Sequence, residues 1–585
     1  MEPNTKHAAK TEPICLTTTM QKTVSFLLFC LFLAVAVPRL LSLEAHWSSD
    51  EARWLRRSAQ FMDTVKAGQF SDTVIAYHPG VTTMWVAGLR TFFTDARVNL
   101  KNLALARWFI GISILAGIGI SCLLLYRLFG KWVALVSCAS LTYSPLLLAQ
   151  TRRVHTDALA TIFIGLTVLL FLCYCQNRHL RRYLICSGIT FGLALLTKSY
   201  ALILLLWIPI CLFLFSKKRN TGLLTHVAEV ICFLNTAALT CIALWPVFWT
   251  LSLRIMALCL FGLTLMLFKA IPREQRLIWN VSVALAALLF VSIRATQTIW
   301  LVFDKVQWAL TTPHEVEHFF LGKVVHDPGW LFYPFVLTIK STPLMLPLAL
   351  LAGLLLWKYR NRTNETAYQL RIALALALAA LLFTVCLSAT NKKFSRYLLP
   401  AFLMLEILAA IGFVEGLKWS YAALQARFGT EQTKRYKAAL AVSVCLCFFL
   451  IQMLPVLTLH PYYGTYYNLC WKITDITKII TVGEASGLDI AATYLNQKNK
   501  TYIPGVQVSP LSAEFIRHYL RGFAYRADRG TGRTADYEVV YIRDSQIGRV
   551  PQTGTRNGDL EAVITLNGID HVWIYRTPDT VEAEK

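Results

Sequence analysis

Apolar runs of about 20 residues, the length that crosses a bilayer, alternate with polar connections along most of this chain. The runs fall near 23–43, 105–127, 132–149, 157–175, 183–198, 200–215, 227–249, 251–268, 278–300, 334–357, 370–389, 397–417 and 438–457. Thirteen crossings is an odd number and predicts termini on opposite sides of the membrane. With residues 1–22 cytoplasmic, the inner connections are Arg127 to Lys131, Asn177 to Arg182, Lys217 to Arg219, Lys269 to Arg276, Lys358 to Arg371 and Lys418 to Lys437. All are basic, as the preference for cationic cytoplasmic loops requires. Ala34-Val35-Ala36 in the first run could mimic a signal-peptidase site, but the apolar core is longer than a signal peptide's, so the segment reads as an uncleaved anchor.

The outer connections differ in kind. Segment 44–104 holds two amphipathic stretches, Glu51 to Lys66 and Val81 to Phe93, separated by the turn His78-Pro79-Gly80, and these are expected to lie flat at the membrane surface. Gln150 to Asp157 is polar and basic, and Thr156 or Asp157 starts the next helix. Later outer loops carry Lys198, then the long segment 302–332, then Asn391 to Tyr397. After Pro455 the pattern turns polar, and 458–585 reads as a small α/β unit. It has helices at 488–495 and 512–521, a strand at 537–542, and two strands (563–566, 571–575) flanking the hairpin signal Asn567-Gly568. The predicted architecture is an all-α polytopic membrane protein of about 13 transmembrane helices, residues 23–457, followed by an extracytoplasmic α/β domain, 458–585.

Composition agrees with this reading: 56% of the 585 residues are hydrophobic and only 15% charged, too apolar for a soluble chain. The net charge of +24 sits in short clusters between apolar runs, which orient helices rather than bind nucleic acid. The 15 cysteines show no metal-ligand spacing and lie mostly inside apolar runs, as small buried residues.

Chemistry-bearing residues gather in the outer loops. Asp50 and Glu51 follow the first span directly, where a base acting on a lipid-borne substrate would stand; the pair also reads as a helix start, with Ser48 or Ser49 as N-cap. Asp157 could position a substrate or simply cap its helix. Arg153, Lys198, Lys392, Lys393 and Arg396 are cations at the same face, suited to a phosphate and equally suited to anchoring helix ends. His78, His155, His314 and His318 could bind a divalent ion with Asp50 or Asp157; four histidines scattered over three loops commit to no metal site and no cofactor.

Several motifs occur in order: Asp50-Glu51, His78-Pro79-Gly80-Val81-Thr82-Thr83-Met84-Trp85, Arg153-x-x-x-Asp157, His318-Phe319-Phe320-Leu321-Gly322, Lys393-Phe394-Ser395-Arg396-Tyr397-Leu398-Leu399-Pro400 and His460-Pro461-Tyr462-Tyr463. Together they resemble prokaryotic glycosyltransferase family 39, relatives of the protein O-mannosyltransferases and of the lipid A aminoarabinose transferase within the GT-C superfamily. The resemblance implies inverting transfer of a sugar from a polyprenyl-phosphate carrier to a protein, lipid or glycan in the cell membrane. The Asp of the Asp-Glu pair is then the catalytic carboxylate, with Glu51 and Asp157 beside it. Arg153, Lys198, Lys392, Lys393 and Arg396 meet the lipid phosphate, and His78 and His318 fall in the substrate loops. His78-Pro79-Gly80 departs from the eukaryotic pattern, which has a second proline.

A transporter or flippase of lipid-linked sugars is the rival class. It calls for mid-bilayer ionisable groups and related halves, whereas the spans are almost free of such groups, with Glu406, Arg254 and Arg294 as the exceptions, and show no internal repeat.

Overall fold

The computed structural model describes residues 34–577 apart from 49, 77, 217–222, 250–303, 305–306, 308–316, 362, 472–473, 501–502, 527–534 and 550–557. The expected spans 251–268 and 278–300 and the loop histidine His314 therefore lie outside the described residues, as does most of the first span, of which residues 34–40 are helical.

Two helices follow the first span: α1 (Glu51–Lys66) and α2 (Val81–Gly88). The helical body then runs through α3 (Leu100–Phe129), α4 (Lys131–Tyr143), α5 (Pro145–Thr151), α6 (Thr156–Gln176), α7 (Arg182–Thr197), α8 (Leu204–Leu214) and α9 (Leu223–Leu244). Beyond the undescribed stretch it resumes with α10 (Phe332–Lys340), α11 (Met345–Lys358), α12 (Asn364–Ser388), α13 (Leu399–Phe428) and α14 (Thr430–Leu459). Among the described residues six helices are long and apolar enough to cross a membrane, or eight if each bent pair is one span, with two shorter apolar helices over Arg182–Thr197 and Ser199–Leu214.

Three expected spans or connections take a different form. The run 132–149 bends by 65° between α4 and α5, where Ser144 is extended ahead of Pro145. The run 334–357 bends by 100° at Ser341-Thr342-Pro343, since a residue before proline is driven out of helical geometry. The connection Lys418 to Lys437 is mostly helix, broken only at Gly429, whose φ is +79°.

Glycines let helices approach closely. A Cβ on Gly412 of α13 would stand 1.8 Å from the Leu348 carbonyl of α11, and Gly188 and Gly192 of α7 meet the backbone of α9 in the same way. Helix α6 is buried almost throughout and forms the axis of the body.

The tail folds as a five-stranded mixed sheet in the order β4 (Phe523–Arg526), β3 (Gly505–Val508), β5 (Tyr537–Tyr541), β7 (Ile569–Arg576), β6 (Asp559–Leu566). The β6–β7 hairpin turns at Asn567 and Gly568, both at positive φ as the sequence signal requires. A second hairpin, β1 (His318–Phe320) with β2 (Lys323–Val325), stands in the segment before α10 and is tied to residues 479–481. Of the two expected tail helices, the first spans Leu488–Lys498. The second forms earlier than expected, over Pro510–Ile516, because Pro510 suits a first helical turn.

Candidate functional site

The segment into α1 is fixed by Glu51. Its carboxylate accepts from the Ser48 amide at 3.0 Å and the Ser48 hydroxyl at 2.9 Å, which holds the turn that leads into the helix. It also takes both arms of Arg107 from α3, at 2.8 and 2.5 Å, and the Val154 amide at 2.9 Å. Glu51 is fully buried and every acceptor direction is in use. Burial pushes its carboxyl up, but Arg107 outweighs this and holds it down at about 2. Arg107 ties the same segment again through the carbonyls of Leu43, Ala45 and His46.

With Glu51 committed inward, Asp50 faces the other way. It occupies the N-cap position of α1 without a capping hydrogen bond. Its Oδ2 accepts from Arg396 Nη2 at 2.9 Å and lies 3.2 Å from His155 Nε2, while Oδ1 is 3.7 Å from Arg53. Burial raises the Asp50 carboxyl, yet the His155 contact and the Arg396 charge hold it well below the usual carboxylate range.

Asp157, in the first turn of α6, completes the cluster. Its Oδ1 accepts from Lys198 Nζ at 2.5 Å; its Oδ2 is 2.6 Å from His155 Nδ1 and 3.3 Å from Arg396 Nε. His155 and Arg396 thus each touch both carboxylates. Lys198 also sits 3.7 Å over the Tyr397 ring, which fixes its ammonium. The ring of Trp54, on α1, stands edge-on to His155 with centroids 6.3 Å apart. Gly80 makes room for Trp54: its φ is +59°, and a Cβ there would lie 2.3 Å from the indole. His78, two residues earlier, is half-buried, and loss of solvation aided by the Lys198 charge takes its imidazole down to about 3.

A cleft adjoins this cluster. Arg396 lines it with Lys393, Lys340, Arg543, His318, Glu484 and Gln150. Lys340 donates to the carbonyls of Gly464 and Tyr466 at 2.9 and 2.8 Å and lies over Tyr467. Lys393 reaches Asp327 at 2.6 Å. Of the cations expected around a lipid phosphate, Lys393 and Arg396 line this cleft. Arg153 is instead paired with Glu484 and bonded to His46 Nε2 at 2.8 Å, and Lys198 is paired with Asp157. Lys392 is half-buried and outside the lining.

Of the expected residues, Asp50, Asp157, Lys198 and Arg396 share one cluster. The sequence offers His155 only as a candidate metal ligand, although its place two residues before Asp157 on a helix start is the signal that could have found it. Lys340, Arg543 and Glu484 are further lining residues that sequence reasoning missed, two of them delivered by the tail. Among the described residues no group of three His, Cys, Asp or Glu side chains could hold a metal ion.

Residues 100–249, from α3 past α9, match the family model described as dolichyl-phosphate-mannose-protein mannosyltransferase; the match takes in His155, Asp157 and Lys198. No curated protein matches the chain. Among solved structures, ArnT from Cupriavidus metallidurans bound to undecaprenyl phosphate is similar at 16% identity over 94% of this chain and 98% of that one, with a TM-score of 0.44. The oligosaccharyltransferase AglB from Archaeoglobus fulgidus, in complex with an inhibitory peptide and a dolichol-phosphate, is similar at 11% identity over 90% and 70%, with a TM-score of 0.47.

Proposed function

We propose that the chain transfers a sugar from a polyprenyl-phosphate carrier to a hydroxyl acceptor, with inversion, at the extracytoplasmic face of the cell membrane. The observation that carries this reading is the double position of Arg396, in contact with Asp50 and Asp157 on one side and in the wall of a cationic cleft on the other. A sugar on a lipid phosphate already has a good leaving group, so the protein must supply a proton acceptor for the incoming hydroxyl and cations for the departing phosphate. Asp50, with one face toward solvent, is the proton acceptor. Arg396, Lys393, Lys340 and Arg543 hold the carrier phosphate. Asp157 keeps Lys198 and Arg396 in place, and Glu51 fixes the segment that delivers Asp50. His78 and His318 frame the substrate from either side. Arg153, tied to Glu484, acts on donor binding through that carboxylate.

The test is purified protein in liposomes, supplied with polyprenyl-phosphate sugars and scored for release of carrier phosphate. Asp50→Asn keeps the size and polarity of the side chain but cannot take the proton, so turnover is expected to fall by about 10²-fold or more. Turnover near the wild-type rate at equal protein content would remove Asp50 from the reaction.

A further inference from the structure

The cations around the cleft differ in what already holds them. Arg396 is paired with Asp50 and Asp157, Lys198 with Asp157, Arg153 with Glu484 and Lys393 with Asp327. Lys340 and Arg543 are the exceptions. Lys340 donates to two carbonyls and lies over the Tyr467 ring, all neutral partners. Arg543 has no hydrogen bond or ion pair among the described residues, and its buried Nε stands without an acceptor. An unmade hydrogen bond at a buried donor is costly, so a guanidinium held in this way is matched to a group that arrives from outside.

Both side chains line the same cleft, and the backbone behind each is fixed. Lys340 ends α10, immediately before the bend, and its two carbonyl partners hold the ammonium in place. Arg543 lies on the short helix Ile542–Gln546 of the tail. At the end of that helix Gln546 accepts from the Val482 amide at 2.8 Å and donates to the carbonyls of Thr477 and Ile480 at 2.5 and 3.0 Å. At its start the Tyr541 hydroxyl accepts from the Glu484 amide at 3.1 Å. Asp544, the next residue along, is turned to the hydroxyls of Ser509 and Ser512 and forms no ion pair with Arg543.

We propose that Lys340 and Arg543 together form a dianion seat, selective for a phosphate monoester over a phosphate diester; this deepens the glycosyl-transfer reading above and rests on it. The donor is a diester with one negative charge, whereas the departing carrier is a monoester that takes a second charge above about pH 6. In the transfer step the acceptor O–H breaks, its proton goes to Asp50 and its oxygen bonds the anomeric carbon. The bond from that carbon to the phosphate oxygen breaks, and its electron pair stays on the phosphate. The second charge therefore appears at the oxygen that loses the sugar. Two cations with no carboxylate partner stabilise that charge more than they stabilise the donor, which lowers the barrier rather than merely tightening donor binding. The tail thereby supplies one half of the leaving-group site.

The experiment compares two lipids on the purified full-length protein: polyprenyl phosphate and its methyl ester, which keeps the single charge of a diester. Direct binding in detergent is expected to favour the monoester by about 10-fold or more at pH 8, and by much less at about pH 5, where the second charge is lost. Taking the ratio of the two lipids cancels titration of the protein's own groups at the cleft, His318, Lys393, Arg396 and Glu484 among them. Arg543→Gln should abolish most of the preference and Arg543→Lys should restore part of it. Lys393→Gln should weaken both lipids alike, because Asp327 already offsets the Lys393 charge. In the release assay Arg543→Gln should lower kcat about 10-fold with donor KM little changed. Equal affinity of the wild type for both lipids, or a full preference retained by Arg543→Gln, overturns the seat even if sugar transfer is found. A monoester preference in a protein that releases no carrier phosphate from polyprenyl-phosphate sugars refutes the transfer reading, and the leaving-group role with it, while leaving the anion seat standing.

Discussion

At Gly80 backbone geometry and side-chain packing make the same demand. The residue sits at φ +59°, where an L side chain is strained, and any Cβ collides with Trp54, the ring that closes the side of His155. Gly68 separates the two effects, since its φ is +72° with nothing within 4 Å of where a Cβ would stand. Gly68→Ala should cost only the conformational strain, about 1 kcal/mol, and leave turnover intact. Gly80→Ala should cost more and also lower turnover, because the indole must move. Thermal unfolding in detergent beside the release assay checks both; equal effects of the two substitutions would mean that the Trp54 contact is unimportant.

Neighbouring residues 50 and 51 take opposite duties for a reason the sequence only half reveals. That two carboxylates follow a membrane span, and that one helical face cannot hold both, is legible in the chain. That Glu51 is the buried one is not, because its partner Arg107 is 56 positions away inside an apolar helix and reads there as an ordinary helix-end anchor. Removing one member of such a buried pair leaves an unpaired charge and costs about 3–5 kcal/mol. Arg107→Met and Glu51→Gln should therefore each destabilise the protein strongly, and the double replacement by less than their sum, as a double-mutant cycle of unfolding would show. The pH dependence follows from the direction of the shift. Glu51 is held below its ordinary 4.5, at about 2, so its contribution to stability is complete above pH 4.5 and is lost as pH falls toward 2. Glu51→Gln should flatten the acid limb of the stability profile over that window; an unchanged limb would assign acid sensitivity to other carboxylates.

At the scale of elements, apolar length predicts the existence of helices well and their straightness poorly. Helices α6 and α12 fall within a few residues of their expected runs because nothing interrupts them. The bends at Ser144 and at Ser341-Thr342-Pro343 are hidden by unbroken hydrophobicity, though each carries a proline that a stricter reading would weigh. Strands β3 and β4 escape for another reason. They are four residues each, too short to show a period; β3 is buried between two parallel neighbours and so lacks the alternation of a strand with one wet face, while β4 is an exposed edge strand. The hairpin β6–β7 is legible because its turn has its own chemistry.

The whole molecule joins its tail to the cluster through several independent contacts. Asp489 accepts from the His46 amide at 3.0 Å, His518 stacks on Trp47 with centroids 3.8 Å apart, Tyr519 donates to the Glu44 carbonyl at 2.7 Å, and Glu484 pairs with Arg153. All of these grip the segment that ends at Asp50 or the loop that carries His155. The tail and the cluster must therefore share one side of the membrane, and the basic connections Arg127 to Lys131, Asn177 to Arg182 and Lys358 to Arg371 lie at the opposite ends of their helices. Cationic loops stay in the cytoplasm, so the shared side is expected to be extracytoplasmic. A reporter that folds only outside the cytoplasm, fused after Lys585, should be active, and one fused between α11 and α12 at Asn361 should be silent. A reporter of cytoplasmic folding should give the reverse pair. Activity outside at Asn361 with silence after Lys585 would turn the molecule over and put the lipid phosphate, the acceptor and Asp50 on the cytoplasmic side together.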